Sequence, residues 1–209
     1  MKIRGLYLVT PDWDDTARLA AAVDAALAGG AAAVQYRHKH APPDLALRQA
    51  RELLAVCRHH GRPLVINDSV ELMLAVEADG VHLGKDDEHP RTVRERIGSG
   101  RYIGVSCYDD FERAVTLAPF ADQVAFGSVF LSQVKPGAVR APLELFGRAR
   151  AQGLSTIAIG GIDGANAATV IAAGADALAV ITAVFGAPDI TVAARQLSAQ
   201  FAGNGAPAA

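Results

Sequence analysis

Cysteine is scarce. The 209 residues contain two, Cys57 and Cys107, in different expected elements and without metal-type spacing. That counts against a disulfide framework and against a thiolate-held metal, so both are expected as buried thiols. A large charge of one sign is also missing. Twenty Lys and Arg against 22 Asp and Glu give a formal net charge of −2, which leaves no electrostatic footprint for a nucleic-acid backbone or an anionic membrane. Long apolar runs are absent too. Stretches such as Ala31–Val34 and Ala177–Ile181 are strand-length, far short of the roughly 20 residues that span a bilayer. The first residues, Met1 to Gly5, run straight into Leu6–Val9 without a long export segment, so the chain reads as cytoplasmic. What is plentiful is apolar surface. At 51% hydrophobic, 20% charged and a mean hydropathy of +0.20, the chain is far from the disordered regime and should fold as a compact soluble domain.

Short β-type runs alternate with helical patterns throughout, the signature of βα units around a parallel sheet. Strands are expected at 6–10, 32–37, 63–67, 80–83, 102–106, 123–126, 156–159 and 177–181. Helices are expected at 17–27, 45–59, 70–76, 91–97, 111–117, 143–151, 165–172 and 191–201. Asp44 and Asp163 read as helix-entry caps, and Gly29, Gly98, Gly153 and Gly174 fall where helices should stop. A small-residue entry followed by an apolar pair recurs at Ala32-Ala33-Val34, Ala78-Asp79-Gly80-Val81, Ala121-Asp122-Gln123-Val124 and Ala175-Asp176-Ala177-Leu178. Each interval suits two βα units, and four such pairs predict a single closed (β/α)8 barrel over 1–201, with an open doubly wound sheet as the alternative. Residues 202–209 have nothing to bury and read as a flexible tail.

In such a barrel the active site sits at the strand C-termini. After the second strand comes Gln35-Tyr36-Arg37-His38-Lys39, whose alternation sends Gln35, Arg37 and Lys39 to one side. The third strand ends in Asn67-Asp68, and the loop after the fourth reads Gly84-Lys85-Asp86-Asp87. Carboxylates on adjacent strands, beside Arg and Lys but without clustered His or Cys, suit a hard cation such as Mg²⁺ held jointly with ligand phosphates. The competing reading makes Asp68 a helix N-cap and Asp86-Asp87 a solvated turn. At the far side, Gly160-Gly161 and the residues after Thr182 provide a backbone cradle for phosphate, or simply a tight turn. Two anion sites on one small barrel favour a joining reaction over an isomerisation. The six histidines lack metal-ligand spacing, no Ser-His-Asp order is visible, and Lys135 suits a phosphate-clamping loop.

Taken in order, Leu6-Tyr7-Leu8-Val9-Thr10, Gln35 to Lys39, Ile66-Asn67-Asp68, Asp79 to Gly84, Gly104-Val105-Ser106, Phe126 to Phe130, Ile159 to Ile162 and Val180-Ile181-Thr182 resemble the thiamine-phosphate synthase family. The resemblance implies a transferase that joins 4-amino-5-hydroxymethyl-2-methylpyrimidine diphosphate to a thiazole phosphate, releasing diphosphate and using one Mg²⁺ per subunit. It implies that Gln35, Tyr36, Arg37, His38, Lys39, Asn67, Ser106 and Lys135 hold the pyrimidine diphosphate, with Arg37, Lys39 and Lys135 as the catalytic cations. Asp68 and Asp87 would hold the metal, while Ser132, Gln133, Val134, Gly161, Ile181 and Thr182 would receive the thiazole phosphate. Two departures stand out: Lys85 where the family usually has glutamine, and Leu131-Ser132-Gln133-Val134-Lys135 where it usually has Pro-Thr-x-Thr-Lys. The related thiazole tautomerases lack the metal carboxylates and carry a histidine where Ser128 stands. A barrel isomerase, a tautomerase or a non-catalytic sensor of thiamine precursors are the alternatives. In the synthase reading, the metal and three cations, less two carboxylates, leave about three positive charges to meet a diphosphate of about −3. Partners are thus small phosphorylated molecules, not nucleic acid or membrane. The alanine-rich helices are too uniform to mark an oligomer face, so a homo-oligomer is left open.

Overall fold

Strands form where short aliphatic runs are bounded by turn formers, and helices where alanine- and leucine-rich stretches follow a capping residue. The computed structural model describes residues 1–131 and 139–202. Its elements are β1 (Gly5–Val9), α1 (Thr16–Ala28), β2 (Ala33–Tyr36), α2 (Pro43–His59), β3 (Leu64–Asn67), α3 (Val70–Val76), β4 (Gly80–Leu83) and α4 (Pro90–Ile97). They continue with β5 (Tyr102–Tyr108), α5 (Phe111–Leu117), a 3₁₀ turn (Ala118–Phe120), β6 (Gln123–Phe126), α6 (Glu144–Ala151), β7 (Thr156–Ile159), α7 (Ala167–Ala173), β8 (Ala177–Val180), α8 (Thr182–Phe185) and α9 (Ile190–Ala202). The eight strands pair in chain order and close on themselves as a barrel, all parallel, with β8 beside β1. Helix α9 runs on to Ala202, one residue past the expected boundary, and the rest of the expected tail lies outside the described residues. No helix among the described residues is long and apolar enough to cross a membrane.

The register sorts side chains into two cores. Tyr7 pairs with Ala33, Gln35 with Val65, Gly80 with Tyr102 and Ile157 with Ala177, so these residues and their i±2 neighbours face the barrel axis. Tyr7, Val9, Val65, Tyr102, Ala125, Ile157 and Ala179 form that inner core. The alternate residues, Leu6, Leu8, Val34, Ile66, Val81 and Ile103 among them, pack outward against the helices. Gln123 closes the barrel floor. Its Nε2 donates to Ile3 O at 2.9 Å and to Ser155 Oγ at 3.0 Å, while its Oε1 accepts from Ile3 N at 2.8 Å.

The sequence repeat has a structural cause. Asp79, Asp122 and Asp176 stand just before β4, β6 and β8, and each carboxylate reaches sideways to the strand before. Asp79 accepts from Leu64 N at 2.8 Å, Asp122 from Ile103 N at 3.0 Å and Asp176 from Thr156 N at 2.8 Å. Each aspartate's own N–H donates back to the carbonyl of the same residue at 2.8–3.1 Å. The side chains thus bolt neighbouring strands together at the floor.

Two expected caps are corrected. Helix α2 starts after Pro42 with Pro43 at its first position, which needs no N–H partner, so Asp44 sits inside the first turn. Asp163 binds the N–H groups of Ala165 and Asn166 in a turn, and Asn166 is the cap of α7. Gly29, Gly98 and Gly174 end α1, α4 and α7 as expected, whereas Gln152 ends α6 with Gly153 just beyond. Cys57 and Cys107 are buried free thiols.

Candidate active site

Strand alternation carries Val9, Gln35, Asn67, His82, Ser106, Ala125, Ile159 and Ala179 to the C-terminal mouth of the barrel. With Arg37, Tyr108, Gly127, Ser128, Gly160, Gly161, Ile181 and Thr182 they line a cavity of about 680 Å³, room for two small ligands side by side.

The β2–β3–β4 side is charged. Thr10, fully buried, clasps the Arg37 backbone: its Oγ1 accepts from Arg37 N at 2.8 Å and donates to Arg37 O at 2.9 Å. The Arg37 guanidinium donates to Asp12 Oδ1 at 3.2 Å, and the same oxygen takes the Lys39 N–H at 3.3 Å. Gln35 is buried, and among the described residues its Nε2 has no partner, an N–H donor waiting in the cavity wall.

Asp68 follows β3 in the left-handed region at φ 63°, a conformation that few side chains other than Asn and Asp accept. It is not the cap of α3, since Ser69 takes that place by accepting from Leu72 N at 3.1 Å. Burial of its inner side, then a hydrogen bond and like charge from Asp87, push the Asp68 carboxyl up to about 6, against the opposite pull of Arg37 and Lys39. Asp87 is fixed by its Oδ2, which accepts from Gly84 N at 2.6 Å. Two carboxylates held against each other beside cations are what a hard divalent ion resolves. The two carboxylates supply oxygen donors only. That donor set fits Mg²⁺, which keeps waters and takes further oxygens from phosphates.

Across the cavity the site is backbone. Gly160 (φ 103°) and Gly161 (φ 64°) follow β7, and a Cβ on the first would run into Ser128 Oγ, on the second into the Leu131 carbonyl. Only glycine fits there. Helix α8 begins at Thr182 directly after β8, with Ile181, Thr182 and Ala183 on the cavity wall. Exposed N–H groups at a glycine turn and a helix start favour an anion without any cation.

Of the residues named from sequence, the fold brings together Gln35, Arg37, Asn67, Ser106, Gly161, Ile181 and Thr182 in one cavity, with Asp68 and Asp87 at its rim. Tyr36 and His38 face away from it. Their side chains alternate outward to α2, where Tyr36 Oη donates to Gln49 Oε1 at 3.0 Å and His38 lies 3.4 Å from both Gln49 and Asp14. Ser132, Gln133, Val134 and Lys135 lie outside the described residues. The expected charge tally left out Asp12, whose carboxylate pairs with the Arg37 guanidinium at 3.2 Å and offsets one of its cations. His82, Tyr108, Thr10 and Asp12 were missed. Alternation along β4 would have pointed His82 inward with Gly80. Tyr108 sits at φ 56° beyond a register shift in β5 that turns its ring to the mouth, and no local pattern announces such a bulge.

The comparisons agree with this geometry. The family model for thiamine monophosphate synthase matches residues 6–184. A thiamine-phosphate synthase of Aromatoleum aromaticum is 54% identical over 190 residues, covering 90% of this chain and 91% of that one. One of Bordetella pertussis is 51% identical over 208 residues, covering 96% of each. The solved thiamine phosphate pyrophosphorylase of Pyrococcus furiosus superposes with a TM-score of 0.84 at 33% identity, over 95% of this chain and 96% of its own. A barrel whose mouth sets a paired-carboxylate, cationic rim against a glycine cradle, matched over nearly its whole length, belongs to the thiamine monophosphate synthase family.

Proposed function

We infer that the chain acts as a thiamine-phosphate synthase, joining 4-amino-5-hydroxymethyl-2-methylpyrimidine diphosphate to a thiazole phosphate with release of diphosphate. One observation carries the reading beyond family membership: a single cavity offers two chemically different anion sites on opposite walls. An isomerase acting on one phosphate would leave the Asp68–Asp87 rim without a task.

Asp68 and Asp87 would hold Mg²⁺, which when bound neutralises charge on the diphosphate. Arg37 and Lys39 meet the remaining charge, and Asp12 with Thr10 keeps Arg37 from swinging away. Gln35 and Asn67 lie beneath them and orient the pyrimidine ring. Gly161 with the start of α8 receives the thiazole phosphate, and Lys135 would add a further positive charge to the diphosphate. The methylene C–O bond breaks with its electron pair leaving on the diphosphate, and the electron-rich aminopyrimidine carries the resulting methylene cation. The thiazole nitrogen then donates its lone pair to that carbon. No protein nucleophile is required, because the walls supply orientation and a charged surface already in place.

The purified chain, given both substrates and Mg²⁺, should release thiamine phosphate and diphosphate in equal amounts. Diphosphate release without thiamine phosphate, or neither product, would overturn the assignment.

A further inference from the structure

His82 on β4 faces Ser106 on β5 across the cavity wall, with Nε2 2.9 Å from the Ser106 Oγ. The histidine is 8% exposed, and among the described residues its buried Nδ1 has no hydrogen-bond partner. The ring is wedged. A Cβ on Gly104 would stand 2.6 Å from Nδ1 and 2.9 Å from Tyr102 Oη, so glycine at 104 is what leaves space for it.

These contacts fix the imidazole proton. A proton on Nδ1 would be a buried N–H with no acceptor, which costs more than an unpaired lone pair. The proton therefore sits on Nε2, and His82 donates to Ser106 Oγ. The serine oxygen, already accepting, keeps its own O–H to give, and no second partner for it exists among the described residues. The Ser106 carbonyl is separately occupied by Arg113 Nε at 2.9 Å, which anchors the backbone beneath it. The side chain lines the cavity, so its hydroxyl points where a ligand would lie.

We propose that His82 is a positioning residue that locks Ser106 as a hydrogen-bond donor toward the departing diphosphate of the pyrimidine substrate. The proposal rests on the function inferred above and on the place of Ser106 in that half of the site. A serine left free presents either its proton or its lone pairs, and only the proton stabilises an anion. Fixing that choice beforehand is electrostatic preorganisation, and it acts most on the extra charge that develops at the ester oxygen as the C–O bond breaks.

The test is a double-mutant cycle with rescue. His82→Asn is too short to reach Ser106, whereas His82→Gln places an amide N–H near the position of Nε2. The expected result is that His82→Asn lowers kcat about 10- to 100-fold while KM for the pyrimidine diphosphate changes less than about threefold. His82→Gln should recover most of the turnover, and in a Ser106→Ala background His82→Asn should cost nothing further. An equal loss in both backgrounds, equal losses for Gln and Asn, or unchanged kcat in His82→Asn would overturn the role. Should His82→Asn fail to fold, the Gln variant decides alone: folded but no more active than Ser106→Ala, it sinks the proposal. Absence of product from the unaltered chain would instead overturn the reaction itself, a failure read before any variant is compared.

Discussion

Thr10 does no chemistry, yet its hydroxyl holds both backbone polar groups of Arg37 in a place that no solvent reaches. Replacing it by the nearly isosteric valine leaves an N–H and a carbonyl unpaired, at a cost of about 2–4 kcal/mol. Thr10→Val should lower stability by that amount in urea unfolding and raise KM for the pyrimidine diphosphate, whereas Thr10→Ser should do neither. Asp68 is the opposite case, an exposed residue whose charge would serve the proposed metal site. Because it sits at φ 63°, alanine would add backbone strain to the loss of a ligand, and asparagine, which accepts that conformation, is the cleaner replacement. Asp68→Asn should reduce turnover about 100-fold or more with little change in melting temperature. Near-normal turnover would remove Asp68 from the metal site. At this scale the sequence revealed identity better than direction: Asn67, Asp68 and Asp87 were legible as chemistry, but the outward turn of Tyr36 and His38 depends on Gln49 of a distant helix.

Among elements, the bolts between neighbouring strands set how firmly the barrel floor supports the mouth. Asp122 joins three partners, since it receives Arg94 Nη2 at 2.6 Å, the N-terminal ammonium at 2.7 Å and Ile103 N at 3.0 Å. Burial alone would raise its carboxyl, but those bonds outweigh burial and hold it below the ordinary value of 3.8. A carboxyl depressed in the folded state contributes stability that is present above the unfolded value and lost as pH falls through the folded one. Asp122→Asn should therefore cost about 2–3 kcal/mol at pH 7 in denaturant unfolding. The gap to the unaltered chain should close on acidification below pH 4, and a gap that stays constant with pH would show that shape rather than charge does the work. The strands and most helices were readable to within a residue or two because each is a short apolar run closed by turn formers. The repeat that disclosed the barrel turns out to encode these floor contacts. What escaped was non-local: the bulge at Tyr108, and caps decided by Pro43 and Asn166 instead of the nearest aspartate.

For the whole molecule, the closed barrel converts eight local strand ends into one chamber with a charged wall and a backbone wall, and its interior polar layer of Gln35, His82 and Ser106 rests on Tyr7, Tyr102 and Gln123, which fill the space below. That arrangement was legible as a fold from periodicity alone, and as a pair of anion sites from strand-end residues. The identity of the two anions came from the ordered motifs, since no property of a glycine turn distinguishes one phosphate ester from another. In the proposed reaction the Asp68–Asp87 rim would hold the metal that lets the pyrimidine diphosphate leave, so that the second substrate can take its place. The most direct measurement is the initial rate of thiamine phosphate formation from both substrates, first with a chelator in excess and then after Mg²⁺ is restored. No product is expected in chelator, with full recovery on adding the ion; undiminished product in chelator would take the metal, and with it the Asp68–Asp87 role, out of the reaction.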